Sequence, residues 1–287
     1  MLRPASQYYP LTTSTRVLRA STLASYSLAV ERVIATMRAH LSEPLSLEEM
    51  AEVACMSPFH FNRIFRSVTR IPPGEFMAAL RMDTAKQRLL TTSLTVTDIC
   101  FDLGYTSVGT FVTRFKHLTG LSPLQLRQLA NGLESDGLHP LDTASRAGRG
   151  QIVVPTHPMH GVSGTVTTPG PFAGTIFIGL FTRPIPQNRP VACVTITAPG
   201  PFHIGAPPDG RYYVLAAALP QSPNALTYLL PEAGLLVGVT EQPVLVRDGC
   251  VAAHVGLAMR PLKLDDPPIL GVFPPLLATP AAIRARA

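Results

Sequence analysis

An internal repeat constrains this chain more than any other feature. Phe65-Arg-Ser-Val-Thr-Arg-Ile-Pro-Pro73 matches Phe115-Lys-His-Leu-Thr-Gly-Leu-Ser-Pro123 at an offset of 50 residues. Upstream, Ala51-Glu-Val-Ala-Cys55 shares the small–x–x–x–turn spacing of Cys100-Phe-Asp-Leu-Gly104, and paired aromatics follow in both copies, Phe61/Phe65 and Phe111/Phe115. A repeat of this size marks one supersecondary unit used twice.

Each copy reads as two helices and a tight turn. Ser46-Leu-Glu-Glu49 is a capping box that starts a helix at Leu47, with Leu47, Met50, Val53 and Ala54 on one face. Ser57 caps the next helix, and Pro58 favours its start because that position has no N–H to satisfy. Phe61, Ile64, Phe65 and Val68 form its inner stripe, while His60, Asn62, Arg63, Arg66 and Arg70 face outward with no acid between Ser57 and Arg70. In the second copy Thr97 or Thr95 caps Asp98–Leu103, Gly104 supplies the turn, and Thr106–Thr119 is the second helix. A long helix over Pro73–Leu90 joins the copies, and Val30, Ile34, Met37 and Leu41 mark a leading helix by their spacing.

Two helices held at a steep angle let the second enter the major groove of DNA while the first braces it. Arg63 has the fork to read guanine, Asn62 the amide to pair with adenine, and Arg66 the reach for phosphate. These residues resemble the AraC/XylS family of transcription regulators. Ser46 through Arg66 is similar to that family's first motif. Asp98-Ile-Cys-Phe-Asp-Leu-Gly-Tyr105, Phe111, Arg114-Phe-Lys116 and Thr119-Gly-Leu-Ser-Pro123 are similar to its second.

The resemblance covers about a third of the chain. It implies a seven-helix domain in which a central helix joins two recognition helices that bind adjacent major-groove segments. It places Phe59, Asn62 and Arg63 at contact positions of the first head, beside His60 and Arg66. Val108, Gly109, Val112 and Thr113 fall at those of the second, with Ser107, Thr110, Arg114 and Lys116 completing the DNA-facing set. The sequence departs from the family in three ways. Polar residues commonly stand where it has Val108 and Gly109, and Arg where it has Thr113. The sensing domain commonly precedes the DNA-binding one.

Composition changes near residue 135: 7 prolines and 5 glycines precede it, 22 and 16 follow. The organisation expected is a flexible tail over 1–25, the double helix-turn-helix over 26–132, a polar Gly-rich linker over 133–158, a β-sandwich over 159–262 and a Pro-rich tail over 263–287. The first 25 residues carry Arg3, Arg16 and Arg19 and no acids, a weak likeness to a transit peptide, and read as a loose terminus. Strands are predicted at Gly161–Thr167, Gly174–Phe181, Val191–Thr197, Pro201–Gly205, Arg211–Leu219, Leu235–Thr240, Val244–Arg247 and Cys250–Met259, with turns at Pro207-Pro-Asp-Gly210 and Arg247-Asp-Gly249. Gly161-Val-Ser-Gly-Thr-Val166, Gly200-Pro-Phe-His-Ile and Pro208-Asp-Gly-Arg-Tyr-Tyr-Val-Leu-Ala216 resemble the transthyretin-like or carboxypeptidase-regulatory sandwich, which implies a binding or structural module. The apolar tail from Asp265 to Leu277 is expected to pack on the sandwich or on a partner.

Little in the chain suggests catalysis. Cys55, Cys100, Cys193 and Cys250 form no CxxC pair, which argues against zinc or a disulfide framework and for a reducing cytoplasm. His157-Pro-Met-His160 reads as a loop rather than a metal site, and His203 and His254 as satisfied strand residues. Apolar runs such as Thr175–Phe181 and Tyr212–Leu219 are too short to span a bilayer. Net charge is +6, with 14 basic and 10 acidic residues in the first 135, a mild bias towards a polyanion. The function expected is therefore non-enzymatic, sequence-specific regulation of transcription, by recruiting or blocking RNA polymerase on double-stranded DNA. No cofactor or metal is called for, and the β-domain is left to bind a small effector or a second copy of the chain. Two other classes compete: a DNA-alkylation-response protein with a zinc-held cysteine, and a binding module whose basic helices are incidental.

Overall fold

The computed structural model describes residues 13–135, 161–205, 207–222, 225–230, 234–251 and 254–272. Seven helices come first: α1 (Thr13–Ala39), α2 (Leu47–Val53), α3 (Pro58–Thr69), α4 (Pro73–Thr91), α5 (Val96–Asp102), α6 (Val108–Thr119) and α7 (Pro123–Ser135).

The repeat is reproduced hydrogen bond by hydrogen bond. At α2 the Glu49 amide donates to Ser46 Oγ (3.1 Å) and the Ser46 amide to Glu49 Oε2 (2.7 Å). At α5 the Asp98 amide donates to Thr95 Oγ1 and the Thr95 amide to Asp98 Oδ2, each at 3.1 Å. The bond from the Ser46 amide, with the Ser46 hydroxyl adding, holds the Glu49 carboxyl below its ordinary range, and the Thr95 hydroxyl, 2.6 Å from Asp98 Oδ2, does so for Asp98 with the Thr95 amide adding, because such donors favour the ionised form. Of the two threonines offered by the sequence, Thr95 is the cap. Ser57 and Ser107 cap α3 and α6 identically, which moves the start of α6 from Thr106 to Val108.

After α2 and α5 the backbone turns through left-handed Cys55 (φ 55°) and Gly104 (φ 76°). After α3 and α6 it turns through left-handed Arg70 (φ 68°) and Gly120 (φ 86°). Thr69 Oγ1 lies 2.9 Å from the carbonyls of Phe65 and Ile71, as Thr119 Oγ1 does from those of Phe115 and Leu121. Edge-to-face rings fill the first unit, Phe61–Phe65 at 5.4 Å and Phe65–Phe76 at 5.5 Å between centroids.

Two helix limits differ from expectation. α1 begins at Thr13, inside the stretch read as a tail, and α7 runs through Asn131-Gly132 to Ser135, inside the stretch read as the linker. Leu126, Leu129, Ala130 and Leu133 are all buried, and that stripe carries the helix across a residue pair that elsewhere forms turns.

Ten strands follow among the described residues: β1 (Val162–Thr167), β2 (Gly174–Phe181), β3 (Ala192–Ile196), β4 (Gly200–Ile204), β5 (Gly210–Pro220), β6 (Leu236–Val239), β7 (Val244–Arg247), β8 (Cys250–Val251), β9 (Val255–Ala258) and β10 (Arg260–Pro261). The single strand expected over Cys250–Met259 is divided into β8 and β9, which pair with β7 and β1. One sheet runs β4-β1-β9 and the other β10-β6-β5-β2-β3, with β7 and β8 extending from β5. Left-handed Asp248 and Gly249 make the two-residue turn between β7 and β8. Asp209, from the other Asp-Gly turn, accepts the amides of both (3.1 Å each).

The two sheets enclose one core, in which Val162, Val166, Phe202, Ile204, Val255 and Leu257 meet Ile176, Ile178, Leu180, Val214, Ala216 and Ala218. The alternate residues of β2 and β5, Phe177, Ala217 and Leu219, belong to a second cluster that is continuous with the helical core. These strands are buried on both faces, which is why their sequences read as unbroken apolar runs. The segment after β10 joins the same cluster through Leu270 and Val272, and a short 3-10 helix, Ala225–Tyr228, packs on α7.

Polar contacts fix this junction. The Arg70 guanidinium donates to the Thr240 carbonyl (3.0 Å), the Asn188 amide to Leu118 O (2.6 Å), and the Val272 amide to Thr119 O (3.3 Å). Arg183 pairs with Glu75. Lys86 Nζ, on a side chain that is only 2% exposed, donates to Ile269 O (3.2 Å). Burial pushes the Lys86 pKa down to about 8, with Asp83 opposing.

Candidate nucleic-acid interface

The first turns of α3 and α6 form the exposed front of the helical half. Their last turns are covered, because Arg70, Leu118, Thr119 and Gly120 meet the β-domain. A twelve-residue helix is about 18 Å long, so the covered ends are well separated from the exposed ones.

On the first head Phe59 is 84% exposed, and Asn62, Arg63 and Arg66 are exposed beside it. His60 is half-buried, with its ring edge-on to Tyr26 of α1 (centroids 5.7 Å apart). Its Nδ1 accepts from Arg63 Nη2 at 3.2 Å, so His60 steadies the guanidinium on the front face. Tyr26 was missed in the sequence, although it stands four residues before Val30 on the inner stripe of α1.

The second head is built otherwise. At the repeat positions of Phe59, Asn62 and Arg63 it has Gly109, Val112 and Thr113. Ser107, Gly109, Thr110, Thr113 and Lys116 are exposed, while Val108 and Val112 are half-buried against the helical core. Arg114 occupies the repeat position of buried Ile64 but is exposed, in a groove between the units with Tyr105, Arg81 and Glu49. Burial raises the Tyr105 pKa and the Arg114 and Arg81 charges oppose that rise, which places both cations near the phenol.

Arg70, read as part of the outward basic face, turns back towards Thr240 instead. Arg81 and Arg127 likewise serve the scaffold. Arg81 donates to the carbonyls of Leu41 and Glu43, and Arg127 to those of Leu89 and Leu94, bracing the loop before each unit. Ser163 and Thr165 of β1 bond to His203 and His254 (2.9 and 2.8 Å). His157 and His160 lie outside the described residues.

The family described as a helix-turn-helix domain matches residues 50–129. The regulatory protein SoxS of Escherichia coli K12 is 30% identical over 103 residues, covering 36% of this chain and 96% of SoxS. The chain belongs to the AraC/XylS family of helix-turn-helix regulators. The HTH-type transcriptional activator AarP of Providencia stuartii is 31% identical over 97 residues, 34% of this chain and 72% of AarP. The bifunctional transcriptional activator/DNA repair enzyme AdaA of Bacillus subtilis is 32% identical over 91 residues. That match takes in 32% of this chain but only 43% of AdaA. As in other AraC/XylS proteins, the helix-turn-helix half is a sequence-specific DNA-binding domain of a transcription regulator. No described helix is long and apolar enough to cross a membrane.

Proposed function

We propose that this chain regulates transcription by laying α3 and α6 into adjacent major-groove segments, with the first head reading bases and the second chiefly gripping phosphate. One observation carries the reading. The two capped helix starts occupy repeat-equivalent, exposed positions, yet only the first presents a side-chain amide and a guanidinium, Asn62 and Arg63. Those two groups match the edges of adenine and guanine. Gly109, Thr110 and Thr113 offer small or hydroxyl-bearing surfaces that suit a close backbone approach.

The proposed role is binding in the cytoplasm, without catalysis. Cys100 is fully buried and its thiol is pushed up by burial, the reverse of what a nucleophile needs. The β-domain, whose sequence resembles transthyretin-like sandwiches, is proposed as the sensing or association module. Its effect would reach RNA polymerase through the DNA-bound helical half.

The test is selection of binding sites from a random DNA pool with the full chain, followed by Arg63→Ala. That variant should lose about 1–3 kcal/mol on the selected site and relax preference at one position. Arg66→Ala and Lys116→Ala should weaken all sequences alike and reduce the salt slope by about one each. Uniform weakening by Arg63→Ala would show that it grips backbone rather than base.

A further inference from the structure

β3 ends the large sheet: it pairs with β2 on one side and with no described strand on the other. A free edge is a row of open amides and carbonyls, and proteins ordinarily blunt it with charge, proline, bulges or brevity. The other edge strands carry such devices or are weakened. β4 contains Pro201, β10 is two residues long and includes Arg260 and Pro261, β8 is also two residues long, and Gly256 interrupts β9. Residues 191–197, Val-Ala-Cys-Val-Thr-Ile-Thr, hold no charge, proline or glycine.

The inward row of β3 is also incompletely covered. Ile176, Ile178 and Leu180 of β2 are fully buried, whereas Ala192, Val194 and Ile196 beside them pack on the same core and stay half-buried. Cys193 and Thr195, on the opposite face, are exposed. The strand complements itself. Reversed about a two-fold axis at Val194, Ala192 falls opposite Ile196, Cys193 opposite Thr195, and Val194 opposite its own copy. Every facing pair is neutral, and the apolar row stays on the core side because facing residues of antiparallel strands share a face.

We propose that β3 pairs antiparallel with β3 of a second copy of this chain, joining two β-domains into one continuous sheet and setting two helical halves on one DNA duplex. The last clause rests on the reading of α3 and α6 as DNA-reading helices. A two-fold axis normal to the sheet makes the contact isologous and leaves both helical halves on the same face, the one that carries Phe177, Ala217 and Leu219. α3 and α6 end against the β-domain and start away from it, so both fronts point the same way along the axis. Such a dimer meets DNA as an inverted repeat of its site.

Sedimentation of the full chain is the first measurement, and it should show a dimer at micromolar concentration. Cys193→Lys with Thr195→Lys sets lysine opposite lysine across the axis and should weaken the dimer at least tenfold. Cys193→Glu with Thr195→Glu should do the same, and the two variants mixed in equal amounts should form a dimer containing one of each. Failure of that mixture to associate, or a dimer that survives both pairs of substitutions, overturns the β3 contact. Should either variant lose its cooperative thermal transition, hydrogen exchange of the native chain decides. Alternate amides within residues 192–196 should gain protection as concentration crosses the dimer transition. A monomeric native chain, or a dimer in which exchange of β3 ignores concentration, overturns the proposal. Selection from a random DNA pool should return inverted repeats with the native chain and single sites with the lysine variant. Direct repeats or single sites selected by a dimeric chain overturn the arrangement on DNA. A chain that selects no sequence sinks the DNA-reading proposal, while sedimentation and exchange still decide the dimer.

Discussion

Set against each other at their offset of about fifty residues, the two helix-turn-helix units agree at their caps and their core aromatic residues and differ most along the exposed front of α3 and α6. Ser57 and Ser107, Thr69 and Thr119, Phe61 and Phe111, and Phe65 and Phe115 do the same work in each. Phe59, Asn62 and Arg63 are answered by Gly109, Val112 and Thr113. One scaffold therefore carries two different front faces, because capping and ring packing set the fold while the exposed turn is free to specialise. The units also differ at their left-handed positions, with Arg70 opposite Gly120 at an offset of fifty and Cys55 opposite Gly104 at forty-nine.

That last difference gives the largest expected effect. A Cβ on Gly104 would lie 2.2 Å from the Ser42 carbonyl oxygen, in a backbone conformation already unfavourable to L side chains. Gly104→Ala should cost about 3 kcal/mol or more in urea unfolding of the full chain, whereas Cys55→Gly should change stability by less than about 1 kcal/mol. Equal losses would mean that the two turns are not equivalent.

A second test concerns α4, the helix that ends the first unit and opens the second. Lys86 has a folded pKa of about 8, below its unfolded value near 10.5. Between those values the unfolded chain binds more protons, so this residue's contribution to stability rises with pH across that window and is constant below it. The full rise amounts to about 3 kcal/mol. Lys86→Met should stabilise the protein at pH 7 by about 2 kcal/mol and remove the rise between pH 8 and 10.5, as read by urea midpoints. A variant less stable at both pH values would show that the bond to Ile269 outweighs desolvation.

The front faces can be made alike. Val112→Asn with Thr113→Arg should create a base preference of about 1–3 kcal/mol under the second head, measured by repeating the site selection. If no position sharpens, α6 does not approach base edges as α3 does. The smallest effect is expected of His60→Ala. Releasing Arg63 from its partner should cost about 0.5 kcal/mol of DNA binding, with the preferred sequence unchanged; a switch in preference would make His60 a reader itself.

Much of the helical half was legible, because caps and repeats are local signals. Ser46-x-x-Glu49, Ser57-Pro58 and Gly104 each name their own backbone geometry. Arg70 was misplaced because a helical wheel continued past Thr69 puts it on the outer face, although the repeat held the correction: its counterpart is Gly120, a helix-ending residue. The strands followed from short runs set between turn residues, but their sidedness did not. Thr175–Phe181 and Tyr212–Leu219 were read only as apolar runs too short to span a bilayer, and the fold shows that they are buried on both faces, the second against the helices upstream. The exposed positions of Phe59, Asn62, Arg63 and Arg66 were visible in the sequence. The groove placement of Arg114 and the support from Tyr26 depend on how α1, α4 and α6 cross, which no local pattern records.

The sharing of one core between the helices and the outer face of β2 and β5 also has a consequence in time. The helical half leaves the ribosome first, and the last described residue to cover it, Val272, follows Ser135 by more than a hundred residues. At about 5–20 residues per second, the nascent helices wait on the order of ten seconds with that apolar flank uncovered. Order of synthesis thus sets which apolar surface is exposed longest: the flank of the helices that β2, β5 and the segment after β10 later cover.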